Sequence, residues 1–286
     1  EKLMAAEDES EMKAGVRSAI DLTWKEGLDA FTCTECGRCK DACPTHLTGK
    51  PLSMKMVNDS VKRHLVERGG SIVAGDRAGE LPPLVGNVIA EETLWACTTC
   101  GYCEAACPIE LEHVDRFFRM RQHQVMIAGE FPHELKHLFE AVEAEGNPWG
   151  LPASERASWT EGLGVPVVRD AAEMASLDVL FYVGSAMSYD PRGQRIARAF
   201  VRILQHAGVR FGILGAREGS TGECVRRVGN EMLFRQLATA LSATLGELGV
   251  RRIVTCDPHA LNSLRNEYPE FGIDVEVVHH TQLIAE

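Results

Sequence analysis

The spacing of apolar positions changes character partway along the chain. In the N-terminal half they recur at three- and four-residue steps: Met12, Val16, Ile20 and Trp24, then Met54, Val57, Val61 and Leu65, then Val114, Phe117, Phe118 and Val125 with Arg121 on the same face. This is the repeat of helices that turn one side to a core. It predicts a helix over 11–28, a second stopping at Gly69-Gly70, and a Gly- and Pro-rich loop over 71–86. A short helix from about Val88 follows, then one running from Val114 toward Gly129. The aromatic and methionine positions on these helices are read as core.

Residues 145–170 break the pattern. Gly146, Pro148, Gly150, Pro152, Gly162, Gly164 and Pro166 surround Trp149 and Trp159, as in an inter-domain connector partly packed by its tryptophans. Beyond it, short apolar runs alternate with helical stretches. Strands are predicted over 178–184, 209–214, 252–255 and 275–278, and helices over 192–207, 230–248 and 258–266. Such alternation implies βαβ crossovers and a parallel sheet. Ligands of these sheets sit outside the carboxyl ends of the strands. The loops 184–190, 215–223 and 256–259 therefore converge on one edge, where a second site would lie. The chain is thus expected to divide into a helical domain over 1–145, a connector over 146–176 and an α/β domain over 177–286.

The cysteines decide the chemistry. Cys33, Cys36, Cys39 and Cys43 stand in a C-x2-C-x2-C-x3-C-P run, and Cys97, Cys100, Cys103 and Cys107 repeat it 64 positions later. This spacing holds [4Fe-4S] clusters in bacterial two-cluster ferredoxins, where the fourth cysteine of each run ligates the other cluster. Cluster one then takes Cys33, Cys36, Cys39 and Cys107, and cluster two takes Cys97, Cys100, Cys103 and Cys43. A zinc ribbon needs only four ligands and leaves the third C-x2-C step unused. A disulfide framework suits small secreted domains, and no signal peptide is visible. With a 53-residue gap between Cys43 and Cys97, the domain is a helical ferredoxin rather than a compact β-rich one.

At 286 residues the chain is long enough for two cores. A net charge of -11 argues against nucleic acid, whose phosphates need clustered Lys and Arg. An acidic surface suits a basic patch on a redox partner. No apolar stretch approaches the roughly 20 residues that span a bilayer. Ten cysteines, eight of them in the paired runs, place the chain in a reducing, cytoplasmic compartment. The chain starts at Glu1 rather than Met, as a processed form or a segment of a longer protein would. His113, His123, His133 and His137 read as surface or packing residues, and His279-His280 as strand-end caps or packing. Gly215–Gly222 is not a phosphate loop, since no Gly-Lys-Ser/Thr follows, and it lacks the dinucleotide fingerprint. Nothing points to a flavin or nicotinamide site.

Further segments carry a family resemblance: Gly146-Asn147-Pro148-Trp149-Gly150, Ser188-Tyr189-Asp190-Pro191-Arg192, Arg226-Arg227-Val228-Gly229-Asn230-Glu231, and Asn266-Glu267-Tyr268-Pro269 with Val278-His279-His280. With the paired cysteine runs, they make the chain resemble the heterodisulfide-reductase-related iron–sulfur oxidoreductases from about Trp24 onward. It is particularly similar to members that carry electrons from electron-transfer flavoprotein to a membrane quinone, often with a membrane cytochrome-like region upstream. The resemblance implies a CCG-type α/β domain, in which cysteines on the strand-end loops bind a further cluster. Here the chain departs from the pattern. Ser185 and Ser220 stand where cysteines are expected, and Cys-Pro-His-Cys becomes Asp257-Pro258-His259-Ala260. The second CCG repeat expected after His280 is absent from these residues. Serine and alanine do not replace thiolate as iron ligands, so a third cluster is not expected. Cys224 and Cys256 match none of the family's ligand positions and read as buried small residues.

Three functions compete. The favoured one is an electron relay through two [4Fe-4S] clusters between a flavoprotein or other redox subunit and a membrane quinone-reducing acceptor. It would work within a hetero-oligomer, in the cytoplasm or at the inner face of the membrane through a partner or an upstream region. No residue would then do acid–base or nucleophilic work. The second is a thiol–disulfide reductase acting at the strand-end loops, which needs Cys224 and Cys256 to pair or ligands from elsewhere. The third, an interaction protein with vestigial clusters, sits badly with an intact set of eight ligands.

Overall fold

The computed structural model describes residues 14–75 and 81–286. The chain forms two compact units, Glu1–Pro132 with Arg227–Asn230, and His133–Arg226 with Glu231–Glu286.

In the first unit the helix predicted over 11–28 is divided. Met12 lies outside the described residues. A 3-10 turn, Ala19–Asp21, precedes α1, Trp24–Thr32. The break comes from a capping box: Thr23 Oγ1 accepts the Glu26 N–H at 3.1 Å, and Glu26 accepts the Thr23 N–H at 2.7 Å, which starts a new helix. Trp24, at its first position, is 80% exposed and is not core. Two short helices follow in the first cysteine run, α2 (Arg38–Asp41) and α3 (Pro44–Leu47). Helix α4, Met54–Ala74, runs through Gly69-Gly70 rather than stopping there. Each glycine costs about 1 kcal/mol in a helix, less than the burial of Met54, Val57 and Val61 on its packed face returns. Gly75, with φ +84°, is the actual C-cap. Of the loop predicted over 71–86, the first residues are thus helical and 76–80 lie outside the described residues.

Val88 starts no helix. It sits in a turn closed by a bridge between Val85 and Ile89, and α5 spans Glu91–Ala96. Helix α6 is Tyr102–Ala105. Helix α7, Val114–His123, continues through a π-helical turn to Gly129, the predicted end. One core joins Val16, Leu52, Met54, Val61, Leu94, Phe117 and Met120 to Cys39, Cys43, Cys97 and Cys103.

The second unit opens with α8, Glu134–Glu145. Asn147 is fully buried and shapes the next turn, accepting the Trp149 and Leu151 N–H groups and donating to the Leu151 carbonyl. Trp159 is buried and Trp149 half-exposed. After α9 (Ala171–Ala175) comes β1 (Val179–Tyr182), then α10 (Ser185–Tyr189) and α11 (Pro191–His206). The rest runs β2 (Phe211–Gly212), α12 (Glu223–Arg227), α13 (Glu231–Glu247), β3 (Arg252–Thr255), α14 (Pro258–Asn262), β4 (Glu276–His279) and α15 (His280–Ala285). All pairings are parallel and the strand order is β2-β1-β3-β4, so the α/β expectation holds. Side chains alternate between two cores. Leu180, Tyr182, Ile253 and Val277 pack with Phe234 and Leu241 of α13, while Val179, Phe181, Val254 and Val278 pack with Phe200 and Val201 of α11. The chain leaves β1 toward β2 and returns on the other side as β3. The crevice at the carboxyl ends of β1 and β3 is therefore a topological switch point.

Candidate metal centres

The two cysteine runs fold alike. Glu35 and Thr99, at matching positions, have φ of 57° and 55°, and Gly37 and Gly101 have φ of 85° and 72°. A side-chain-bearing residue in this left-handed region costs roughly 1–2 kcal/mol, and such strain gathers where geometry serves a site. The turns curl the backbone around each set of three cysteines before α2 and α6 carry the chain on to Cys43 and Cys107.

Four cysteines wall one cavity: Cys33, Cys36, Cys39 and Cys107, together with Lys55, Asn58, Leu111 and His113. The sulfur of Cys97 lies within electrostatic reach of Cys43 and Cys100, and that of Cys103 within reach of Cys97 and Cys100. Cys107 thus stands with the first three cysteines of the other run, and Cys43 acts on Cys97. Backbone N–H groups point at sulfur: Thr99 to Cys97 at 3.3 Å, His46 to Cys43 at 3.5 Å and Leu111 to Cys107 at 3.4 Å. Cys39, Cys43, Cys97 and Cys103 are buried, whereas Cys36 and Cys100 are exposed. Burial pushes the Cys103 thiol up to about 12 and raises Cys39 and Cys97. The Arg38 N–H lowers Cys36.

These residues fit an iron–sulfur cluster in two respects. The donors are soft thiolates, the ligand type such clusters select. Buried donors at the sites also lack protein partners, namely Asn58 Nδ2 in the wall of the first cavity, Arg116 Nε and Nη1, and Arg121 Nε. An anionic occupant satisfies groups of this kind. Among the described residues no three His, Cys, Asp or Glu side chains gather tightly enough to hold a single metal ion. A cubane differs from such an ion in giving each thiolate its own iron. His113 is buried, which selects packing over surface for it, and burial pushes it down to about 4. Asn58, Arg116 and the His113 environment were not evident from spacing. Arg121 alone had a signal, its place on the apolar face of α7.

The strand-end loops of the second unit enclose a cavity of about 310 Å³ lined by Tyr182, Ser185, Ser220, Cys224, Asp257 and His259 among others. Protein groups tie these loops together. The Glu218 carboxylate accepts the Val183 and Gly184 N–H groups, both at 2.8 Å, and Arg156 Nε and Nη2 at 3.2 and 3.1 Å. Arg156 Nη2 also reaches Ser185 Oγ at 3.3 Å. Both charged groups are 2% exposed. Asp257 Oδ1 caps α14 by accepting the His259 N–H, and His259 Nδ1 lies 3.1 Å from Glu223 Oε1. Cys224 and Cys256 are free thiols in different surroundings. Cys224 packs against the α13 side of the sheet, and Cys256 belongs to the α11 side. Burial pushes them up to about 11 and about 12. Among the described residues no helix is long and apolar enough to cross a membrane.

Residues 25–108 match the 4Fe-4S dicluster domain. The chain is 38% identical, over 98% of its length, to the probable iron-sulfur-binding oxidoreductase FadF of Bacillus subtilis, covering 44% of that protein. It is 35% identical over 95% of its length to the EtfAB:quinone oxidoreductase of Syntrophomonas wolfei, covering 41% of it. A dihydromethanophenazine:CoB–CoM heterodisulfide reductase subunit of Methanosarcina mazei is 22% identical over 93% of the chain, with 65% of that subunit covered. The chain thus spans less than half the length of the first two. No solved structure matches it.

Proposed function

Because the chain is homologous to the iron–sulfur oxidoreductases related to heterodisulfide reductase and carries a 4Fe-4S dicluster domain, we infer that it relays single electrons through two [4Fe-4S] clusters. The observation that supports this reading most is Cys107 in one cavity wall with Cys33, Cys36 and Cys39 of the other run. Cys33, Cys36, Cys39 and Cys107 would hold one cluster, and Cys97, Cys100, Cys103 and Cys43 the other. A cubane supplies the one-electron couple. The chain's own part is to hold it on thiolates and to tune it with N–H groups aimed at sulfur, with burial and with local charge. Exposed Cys36 and Cys100 leave one edge of each site open to a partner.

The partners follow from the chemistry and from the relatives. The name EtfAB:quinone oxidoreductase supports a flavoprotein donor and a quinone-linked acceptor; the chain would then work in a hetero-oligomer, at the inner face of a membrane through a partner or an upstream region. The α/β unit would serve as a scaffold that docks a partner subunit. A thiol–disulfide reductase at the strand-end loops has less to work with. Its two cysteines, Cys224 and Cys256, pack in different cores as protonated thiols.

The test is iron and acid-labile sulfide per chain after anaerobic purification, with EPR of the reduced protein. About eight irons and two interacting cubane signals are expected for two [4Fe-4S] centres. About four irons would sink the two-cluster relay, and a clear excess with a non-cubane signal would return the α/β unit to the chemistry.

A further inference from the structure

Helix α7 turns two arginines inward. Arg116 is 1% exposed and Arg121 3%, although arginine is almost never fully buried unless paired. Arg116 Nη2 donates to Asn58 Oδ1, while its Nε and Nη1 have no partner. Glu26 and Asp29 are the charges that act on it most strongly; Glu26 is also engaged by Arg119 and Asp29 by Lys25, and Glu26 Oε1 has no partner. Arg121 Nη2 donates to the carbonyls of Leu94 and Cys97, its Nη1 donates to the Arg227 carbonyl, and its guanidinium stacks on Trp95 at 5.3 Å. Among the described residues neither forms an ion pair with a carboxylate.

A guanidinium keeps its proton in proteins, and burying its charge without a counter-charge is strongly unfavourable. Apart from Glu26 and Asp29, the groups that act on them electrostatically are the cysteines. Arg116 bonds Asn58, which walls the cavity of Cys33, Cys36, Cys39 and Cys107, and Arg121 bonds the Cys97 carbonyl. A thiolate-bound cubane is an anion that gains one more negative charge on reduction. A fixed neighbouring cation therefore favours the reduced form and raises the potential.

We propose that Arg116 and Arg121 are internal counter-charges of the two cluster sites, Arg116 at the first and Arg121 at the second, and that they hold the reduction potentials up. They are positioning residues, since neither ligates iron. The proposal rests on the two-cluster reading, and iron content of the unaltered chain separates the two. If that chain lacks about eight irons, the two-cluster reading fails on its own account.

The experiment is an EPR-monitored redox titration of the full chain carrying R116Q or R121Q. With iron retained, R116Q should shift the reduction equilibrium of the first site by about tenfold or more toward the oxidised form, about 59 mV per tenfold for a one-electron couple. R121Q should shift that of the second, and R116K should restore most of the loss at the first. Retained iron with unmoved potentials overturns the assignment for the residue concerned. If R116Q loses iron, R116K decides: iron kept by lysine upholds the charge role, and iron lost with lysine as well overturns it.

Discussion

Burial sets the state of the cysteines before any metal arrives. Cys103, pushed up to about 12, and Cys39 and Cys97, raised by the same cause, are thiols at neutral pH in the cluster-free protein. Ligands must be deprotonated, so cluster assembly releases protons. Reconstitution of the apo-protein should accordingly be faster and more complete at about pH 8 than at about pH 6, followed by the growth of sulfur-to-iron absorbance. A rate indifferent to pH would contradict it. At this scale the ligand candidates were legible because thiolate is a distinctive donor and its spacing is short. Arg116 and Asn58 were not, because nothing local marks a polar side chain as buried. Trp24 shows the reverse error, an apolar residue that helical spacing placed in the core and the Thr23 cap put on the surface.

Among the elements, the paired turns offer the sharpest comparison. Gly101 has φ +72°, and a methyl group added to it would meet nothing within 4 Å, so the cost of a side chain there is purely conformational. Gly101→Ala should destabilise by about 1–2 kcal/mol. Thr99→Gly relieves a similar strain but loosens the unfolded chain by about 0.5–1 kcal/mol, leaving a gain of a few tenths to about 1 kcal/mol. Thermal unfolding of the cluster-loaded protein reads both, and opposite signs are expected. Strand and helix types in the second unit were legible because the apolar period switches there. Boundaries were less so: α4 runs through Gly69-Gly70 because its packed face outweighs two glycines, and α5 starts at Glu91 because Val88 and Ile89 close a turn.

For the molecule as a whole, the two units have separate cores and should respond separately. Arg156→Met leaves the Glu218 carboxylate buried beneath the strand-end loops with its two N–H donors but no counter-charge. The expected cost is about 3–5 kcal/mol, read as earlier denaturant unfolding of the α/β unit. Replacing both partners by apolar residues of similar size should recover most of it. Iron content should not change in either variant. Loss of iron would mean that the cysteine sites depend on the second unit.

The amino-acid sequence by itself determined the chemistry and the architecture. Cysteine spacing selects iron–sulfur ligation, and the shift from a helical to an alternating pattern marks where the parallel sheet begins. Both are properties of short stretches of chain, so neighbouring residues suffice to read them. Only the tertiary structure decided which charges are left without carboxylate partners, that Glu218 and Arg156 tie loops far apart in sequence, and that Cys224 and Cys256 face different cores. Charge compensation and pairing depend on neighbours brought together by folding, and no local pattern records them.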